Sequence, residues 1–196
     1  MTLSEYVLRF FKSRGIDKVF LVNGGSIAFL IDAFRKVKNI DYVCAVHEQG
    51  AAMMADGYAR IKKKPGVTMV TSGPGAQNLI TGIASSWFDS IPTIHICGQV
   101  NSNDFSISKK NYPVRQCGFQ ETDIVSISKP ITKFSYRLKN PNEIVKILNL
   151  AYETAIHGRP GPVLLDIPMN FQNQLINNKK KFSLLPLRKP KNIKLN

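Results

Sequence analysis

The sequence has few cysteines and no long hydrophobic run. Its 196 residues include three cysteines, Cys44, Cys97 and Cys117, without CxxC spacing, so we expect free thiols and no metal role. Cys44 and Cys97 lie in apolar strand-like stretches, where a cysteine usually packs as a small hydrophobe. No run of about 18 apolar residues could cross a bilayer, and the N-terminus lacks a charged-then-apolar signal pattern. These absences predict a cytoplasmic protein with no membrane partner.

Acidic residues are scarce, above all near the C-terminus. The chain carries 27 Lys and Arg against 13 Asp and Glu, a formal net charge of +14, and Asp166 is the last acidic residue. The basic residues after it are Lys179, Lys180, Lys181, Arg188, Lys189, Lys191 and Lys194. A basic tail is usually solvated, and no helix-turn-helix, RRM or zinc-finger pattern accompanies it. We therefore expect no nucleic-acid partner, and divide the chain into a domain over 1–169 and a linker or tail over 170–196.

Apolar strand-like runs alternate with helical patterns along the domain. After an N-terminal helix that ends at Gly15, the predicted strands are 19–22, 41–46, 67–70, 92–97, 131–138 and 163–167. The predicted helices between them are 27–37, 51–61, 76–88 and 141–157. Buried strands that alternate with helices are typical of a parallel sheet covered on both faces. The sequence predicts an α/β fold with a doubly wound, mostly parallel sheet and helices on both faces.

Glu48 is the most informative polar residue. It lies in His47-Glu48-Gln49, where the predicted strand 41–46 runs into an alanine-rich helix. Open α/β sheets bind ligands just beyond the carboxyl ends of their strands, so Glu48 points toward the predicted site. Acidic residues in a first helical turn also complement the helix dipole. The local pattern therefore leaves two interpretations, a helix cap and a functional carboxylate.

Two glycine-rich turns should lie beside Glu48 at the same sheet edge. They are Asn23-Gly24-Gly25-Ser26 and Ser72-Gly73-Pro74-Gly75, and each follows a predicted strand. Glycine permits positive φ and lets a ligand approach the backbone closely. Neither GxGxxG nor the P-loop pattern GxxxxGK[ST] is present, and neither turn contains lysine, so phosphate cradling has little support.

Serine hydrolysis also has little support. No GxSxG elbow occurs, and the three histidines have no acid partner in a matching order. His95, inside an apolar strand, is predicted to be a hydrogen-bonded core residue.

The remaining interpretation is a pocket with one carboxylate and apolar walls from Val22, Ile27, Met53 and Met54. A carboxyl group between apolar walls has a raised pKa and exchanges a proton near neutral pH. Such a pocket suits a heteroaromatic ligand whose ring nitrogen is protonated and released.

A string of motifs, in order along the chain, identifies a family. The motifs are HEQGAA (47–52), DGYAR (56–60), VTSGPGAQN (70–78), GQV (98–100), FQETD (119–123), GRPGPV (158–163) and DIP (166–168). Together they closely resemble the N-terminal pyrimidine-binding domain of thiamine-diphosphate enzymes, and acetolactate (acetohydroxyacid) synthase most of all. The resemblance covers nearly the whole chain to Pro168.

The resemblance implies roles for particular residues. In the family, the glutamate that matches Glu48 hydrogen-bonds a ring nitrogen of the cofactor's pyrimidine and drives its amino group into the imino tautomer. That group then removes the thiazolium proton, which prepares the cofactor to attack a 2-oxo acid such as pyruvate. By similarity, the residues around the pyrimidine are Gly24, Gly25, Thr71, Pro74 and Asn78. Phe119 and Gln120 are expected on the substrate side, and no residue of this chain is expected to bind a metal.

The resemblance also implies parts that this sequence does not contain. The family binds the diphosphate through Mg²⁺ in a domain with a Gly-Asp-Gly motif, absent here, and some members hold FAD in a central domain. We therefore expect a fragment, a truncated product or one subunit of a split enzyme, inactive alone and completed by a diphosphate-binding domain. Helices 51–61 and 76–87 are small and apolar nearly all round, which favours a homodimer or homotetramer. The alternative is a binding or assembly module without turnover.

Three departures from the family leave the substrate open. Asn23 stands where many relatives have proline before the paired glycines. The segment 101–118 is longer than in biosynthetic acetolactate synthases, and residues 114–118 resemble relatives thought to serve surface-polysaccharide or unusual-sugar pathways. No adjacent His-His pair occurs, which favours a carboligase over a simple decarboxylase.

Overall fold

The computed structural model describes residues 1–106 and 114–177. Six strands form one sheet in the order β2-β1-β3-β4-β6-β5, and all paired neighbours are parallel. The strands are β1 (Lys18–Leu21), β2 (Asp41–Cys44), β3 (Gly66–Val70), β4 (Thr93–Gln99), β5 (Phe134–Arg137) and β6 (Val163–Pro168). The predicted α/β fold with a parallel sheet is confirmed.

The α-helices connect the strands and cover both faces of the sheet. They are α1 (Leu3–Ser13), α2 (Ala28–Asp32), α3 (Glu48–Lys62), α4 (Pro74–Gln77), α5 (Ile80–Phe88), α6 (Ile124–Ser128), α7 (Ile144–Ile156) and α8 (Met169–Gln172). Short 3₁₀ turns adjoin several of them, at Gly25–Ile27, Ala33–Arg35, Ser102–Asp104, Lys129–Ile131 and Pro141–Glu143. None of the described helices is long and apolar enough to cross a membrane.

Alternate residues of the strands divide between two hydrophobic clusters, and β6 illustrates the pattern. On one face of the sheet, Val163 and Leu165 pack with residues of α1, α2 and α7. On the other face, Leu164 packs with residues of α3, α5 and α6. Because successive strand residues point to opposite faces, this division shows a sheet buried on both sides. The doubly wound arrangement follows directly from it.

The order of the strands reverses at β1. From β1 the chain moves outward to β2, and it then returns past β1 to β3 and β4 on the other side. Ligands of open α/β sheets bind in the crevice that such a reversal opens at the carboxyl ends of the strands. The turns after β1, β2 and β3 therefore share the edge at which a site is expected.

The start and end of α1 follow the expected local rules. Thr2 Oγ1 accepts a hydrogen bond from the Glu5 amide at 3.2 Å, which caps the helix. Gly15, just past the helix, has a φ of 73°, a left-handed conformation that glycine adopts without strain.

The expectation of a buried strand over 41–46 is wrong. All four residues of β2 are exposed, Val46 is fully exposed, and Cys44 is an exposed thiol instead of a packed one. The reason is position in the sheet, because β2 is an outermost strand that pairs with β1 alone. Cys97 is buried in the central strand β4, and all three cysteines are free, as predicted.

Two predicted helices are interrupted. The pattern over 27–37 forms a short α2 between two 3₁₀ turns, and the pattern over 76–88 divides into α4 and α5 near Asn78. The predicted strand over 131–138 is shorter, since Lys129–Ile131 forms a 3₁₀ turn and β5 begins at Phe134.

The described part of the expected tail packs on the domain. Phe171, Gln172 and Ile176 are buried, and Ser4 Oγ donates a hydrogen bond of 2.8 Å to the Gln172 carbonyl. Leu175 also forms an isolated bridge with Thr2. The basic residues of 178–196 lie outside the described residues, and the boundary at 169 stays a prediction.

His95 is a core residue, as predicted. It is fully buried in β4, with Nδ1 2.8 Å from Thr68 Oγ1 and Nε2 2.9 Å from Thr93 Oγ1. Burial lowers the pKa of His95 to about 3. The imidazole therefore stays neutral in the folded protein over the whole physiological range.

Replacing His95 should reduce the acid sensitivity of folding. The unfolded chain gains a proton at His95 below about pH 6.5, whereas the folded chain resists it down to about pH 3. This contribution to stability is complete above pH 6.5 and is lost as the pH falls, by up to about 1.4 kcal/mol per pH unit. Urea unfolding between pH 4 and 7.5 should give a shallower pH dependence for His95→Gln. His47→Asn, which removes an exposed imidazole but keeps an N-cap acceptor, should behave as wild type. Equal slopes for His95→Gln and wild type would contradict the buried neutral imidazole.

Candidate functional site

Glu48 does not supply the N-cap bond of α3. His47 precedes the helix in an extended conformation, and its Nδ1 accepts a hydrogen bond of 3.2 Å from the Gln49 amide. Since His47 performs the capping, the carboxylate of Glu48 is left to make other contacts. Glu48 nevertheless lies in the first turn of α3, where its charge complements the helix dipole, so that interpretation stands beside the functional one.

The two oxygens of Glu48 have different surroundings. Oε2 accepts a hydrogen bond of 2.9 Å from Asn78 Nδ2, which fixes the orientation of the carboxylate. Oε1 has no hydrogen-bond partner among the described residues, and it lies 3.3 Å from the point where a Cβ on Gly75 would be. The half-buried carboxylate thus presents one free acceptor beside a residue that has no side chain.

Thr71 lies between two glycines that must lack side chains. A Cβ on Gly24 would be 2.3 Å from Thr71 Cβ, and a Cβ on Gly75 would be 2.7 Å from Thr71 Cγ2. These distances are far below van der Waals contact, so the backbones of both turns approach Thr71 as only glycine allows. Gly25, by contrast, has no atom within 4 Å of its Cβ position and faces open space.

Hydrogen bonds join the turn after β1 to the turn after β3. Ser26 Oγ lies 2.8 Å from Thr71 Oγ1, and the Ser26 amide donates to Thr71 Oγ1 at 3.3 Å. The Ser72 amide in turn donates to Ser26 Oγ at 2.8 Å. The two glycine-rich turns, 45 residues apart in sequence, are therefore held as one unit.

Phe119 and Gln120 approach this unit from a separate segment. Gln120 has a φ of 57°, and its Cβ and carbonyl oxygen both lie 2.7 Å from the Cβ position of Gly73. Gly73 also has a positive φ, 59°, so a larger residue there would be strained as well as crowded. The Phe119 side chain is 82% exposed.

A cavity of about 480 Å³ connects these elements. Its lining includes the predicted residues Gly24, Gly25, Thr71, Phe119 and Gln120. Glu48 and Asn78 lie outside this lining. Gly75 connects them to it, because a Cβ on Gly75 would contact both Thr71 and Glu48. Pro74 is exposed in the first turn of α4. The structure thus brings the predicted site residues to one edge of the sheet, in two adjoining groups.

A larger cavity, about 870 Å³, adjoins the first at Gly24, which lines both. It is an open groove beside β2, with Phe34 and Tyr42 in T-shaped contact and with its charged residues in ion pairs, Lys18 with Asp41 and Arg35 with Asp32. Glu48 does not line it. The smaller cavity, which has the glycine turns in its wall, is therefore the candidate site.

The expected apolar walls do not form around Glu48 within the described chain. Ile27 is buried in the cluster on the α1 and α7 face of the sheet, whereas α3 covers the opposite face. Met53 and Met54 are 39% and 43% exposed. All were predicted from their proximity in the chain to the turns. The sheet separates Ile27 from α3, which carries Met53 and Met54.

Several polar residues behind the cavity were missed in the sequence. Gln172 Nε2 donates to the Ser26 carbonyl at 2.7 Å, which supports the turn after β1 from below. Gln99 lines the cavity and bonds Asp166, which in turn bonds Arg137. Burial raises the pKa of Asp166 to about 6. The available signal was a polar residue inside an apolar strand, which Gln99 and Asp166 both are.

The chain matches a family model described as "Thiamine pyrophosphate enzyme, N-terminal TPP binding domain" over residues 1–127. Thiamine pyrophosphate and thiamine diphosphate are two names for one compound.

The relatives that the chain resembles have acetolactate synthase names. It is 41% identical over 170 residues to the acetolactate synthase isozyme 3 large subunit of Escherichia coli, covering 87% of this chain and 28% of that protein. It is 42% identical over 165 residues to the acetolactate synthase large subunit of Lactococcus lactis, covering 84% and 27%. Identity to the mitochondrial catalytic subunit of Saccharomyces cerevisiae is 39% over 165 residues, covering 84% and 23%.

The matches cover only part of each relative. The chain spans about a quarter of the length of these relatives, with the match at the level of one domain. The chain therefore belongs to the thiamine pyrophosphate enzyme family, as an N-terminal TPP-binding domain of the acetolactate synthase-like type.

Proposed function

We propose that Glu48 is the cofactor-activating acid of a thiamine diphosphate site, and that this chain forms the pyrimidine side of that site. The observation that carries the proposal is the asymmetry of the carboxylate. Asn78 holds Oε2, while Oε1 has no partner among the described residues and lies beside a glycine. A free, oriented carboxyl oxygen at the carboxyl end of a parallel sheet can accept a hydrogen bond from a protonated ring nitrogen and, once protonated itself, donate one to a neutral ring nitrogen.

The described residues fit the pyrimidine end of the cofactor. Gly25 leaves open space beside its backbone, and Gly75 has no side chain that would crowd Glu48 Oε1. Thr71, Pro74 and Asn78 would border the ring together with these glycines. When bound, thiamine diphosphate supplies the carbanion chemistry, and the protein binds and orients it.

The hydrogen bond from Asn78 determines where Glu48 can carry a proton. Nδ2 of Asn78 is a donor, so Oε2 must accept. A proton on the carboxyl group therefore resides on Oε1, the oxygen that faces the open edge. In this arrangement Glu48 donates a hydrogen bond from Oε1 in its protonated form and accepts one there when ionised.

The proposed parent enzyme decarboxylates pyruvate or a similar 2-oxo acid and transfers the two-carbon unit to a carbonyl acceptor. Support comes from the acetolactate synthase names of the relatives. Phe119 and Gln120, which line the same cavity, would form the substrate side. Mg²⁺ and the diphosphate would be held by a separate domain, in the same polypeptide or in a partner, and FAD would occupy a central domain if it is used. The acceptor, including an unusual sugar, is left open.

We further propose that α3 and α5 form a contact between subunits. Their outer surfaces expose Met53, Met54, Ile61, Trp87 and Phe88, which are between 37% and 81% accessible. The two helices pack side by side over a small cluster on that face. Exposed apolar patches of this kind mark interaction sites in soluble proteins. The exposed apolar surface supports a homodimer or homotetramer.

Loss of the carboxylate should abolish turnover. The chain is mixed with a diphosphate-binding partner, thiamine diphosphate, Mg²⁺ and pyruvate, and CO₂ release is followed. Glu48→Gln keeps the shape but removes the proton exchange, so the rate should fall by roughly 10²–10⁴. Glu143→Gln, a change at a distant glutamate, is the control and should retain the rate. Wild-type turnover that persists in Glu48→Gln would sink the assigned role, and no turnover with any partner would favour an assembly module.

The isolated chain should bind thiamine diphosphate weakly or not at all. The diphosphate contributes most of its affinity through Mg²⁺ and its ligands, which we place in another domain. Titration calorimetry with thiamine and with thiamine diphosphate, each with and without Mg²⁺, should therefore show little gain from the diphosphate. Tight binding that depends on Mg²⁺ would contradict the division between domains.

A charge on the outer face of α5 should disrupt the proposed subunit contact. Phe88 is 70% exposed in the monomer and would be buried in the dimer. In analytical ultracentrifugation, Phe88→Lys should shift the chain toward monomer relative to wild type, because an unpaired buried ammonium is strongly disfavoured. Leu150→Lys, on α7 of the opposite face and 44% exposed, is the matched control and should associate like wild type. A wild-type chain that sediments only as monomer would count against this contact in the isolated domain.

A further inference from the structure

Asp166 is a fully buried carboxylate that the proposed chemistry does not use. It lies in β6, and its Oδ2 accepts hydrogen bonds from Arg137 Nε at 2.6 Å and from Gln99 Nε2 at 3.2 Å. Its Oδ1 has no hydrogen-bond partner in the described part of the chain. A buried charge costs several kcal/mol unless it is well paired, so such a group demands an explanation.

Both partners of Asp166 reach onward to the same segment. Gln99 Nε2 also donates to the Thr122 carbonyl at 2.9 Å, and Arg137 Nη2 donates to that carbonyl at 3.3 Å. Arg137 further contacts Asp123 Oδ1 at 3.5 Å. Its guanidinium also lies 4.6 Å from the centre of the Phe105 ring, which restricts its movement. One buried carboxylate thus orients two donors that converge on a single backbone carbonyl.

The segment held in this way, 119–123, includes Phe119 and Gln120 of the cavity wall. Its other hydrogen bonds join it to neighbouring segments: the Glu121 amide donates to the Gly118 carbonyl at 3.1 Å, and the Glu121 carboxylate accepts from the Cys117 amide at 3.0 Å, the Ser106 amide at 2.9 Å and Ser106 Oγ at 2.8 Å. Thr122 is the point at which the segment is fastened to the strands. The geometry of the wall therefore depends on residues that do not face the cavity.

We propose that Asp166 is a positioning residue which, through Arg137 and Gln99, holds segment 119–123 at the edge of the cavity. The description of this segment as the substrate side rests on the proposed function. The positioning of the segment by Asp166 does not. In the full enzyme, loosening the segment would affect substrate affinity through Phe119 and Gln120.

The test is residue-resolved amide hydrogen exchange on the full 196-residue chain, without cofactor. Arg137→Met removes one of the two donors to the Thr122 carbonyl and the cationic partner of Asp166. The amides of Cys117 and Glu121 should then exchange about tenfold faster, the effect of losing charge-assisted hydrogen bonds. Amides of β3 and β4 report global opening and should change much less. Arg60→Met is the matched control, since Arg60 is likewise paired with two carboxylates, Asp56 and Asp89, away from the segment.

A second variant separates anchoring from simple packing. Asp166→Asn preserves shape and an acceptor but cannot ionise. In wild type the groups around Asp166 are Arg137 from β5, Cys97 from β4 and Asp123 from the segment. Burial raises the pKa of Asp166, whereas its contacts with Arg137 and Gln99 lower it. Ionised Asp166 therefore favours the conformation in which segment 119–123 is held. Protection of Glu121, corrected for intrinsic exchange at each pH, should fall in wild type as the pH drops through about 6, and should be flat in Asp166→Asn.

The outcomes decide the proposal without reference to catalysis. Unchanged exchange at Cys117 and Glu121 in Arg137→Met, or an equal rise in β3 and β4, would overturn the positioning role. If Arg137→Met does not fold, the pH profile of Asp166→Asn decides alone, and a profile like that of wild type overturns the proposal. Either result leaves the Glu48 proposal intact, and failure of the Glu48 experiment leaves this one intact.

Discussion

The structure of the candidate site depends on the position of the Thr71 side chain. Thr71 occupies the space that side chains on Gly24 and Gly75 would fill, and its hydroxyl bonds Ser26. One small residue therefore sets the separation of the two turns at the reversal of strand order. A larger residue at position 24, 71 or 75 would push the turns apart. Gly24 and Gly75 are consequently required by close approach to Thr71.

The same packing explains why Glu48 has a free oxygen. α3 begins at Glu48 because His47 supplies the cap, and α4 begins at Pro74 immediately after the turn that Thr71 positions. Asn78, just past α4, then reaches Glu48 from a neighbouring connection. Asn78 orients the carboxylate through Oε2. Oε1 is left open because Gly75, the residue beside it, has no Cβ. Orientation with a vacant acceptor is the form of preorganisation that proton exchange with a ligand requires.

Local signals predicted much of this arrangement, and topology determined the remainder. The alternation of strands and helices, the cap at Thr2 and the convergence of the turns all follow from short-range patterns. The exposure of β2 does not, since an apolar run reads the same at the centre and at the edge of a sheet. The Asp166 contacts were also out of reach, because Gln99, Arg137 and Asp166 lie on three strands that are adjacent only in the folded sheet. The wall assigned to Ile27 failed for the related reason that chain proximity does not determine the face of the sheet, whereas Met53 lies on α3 with Glu48 and is exposed.

The charge of the residues that line the cavity bears on the proposal that a separate domain binds the diphosphate. Among the described residues that line it, Asp104 alone carries a formal charge, and that charge is negative. A diphosphate carries several negative charges, and placing them beside a carboxylate with no compensating cation is unfavourable. The proposal instead places the aromatic end of the cofactor beside the glycine-rich turns, where Glu48 would orient it. This charge supports the proposal that the diphosphate and its Mg²⁺ are held by a separate domain.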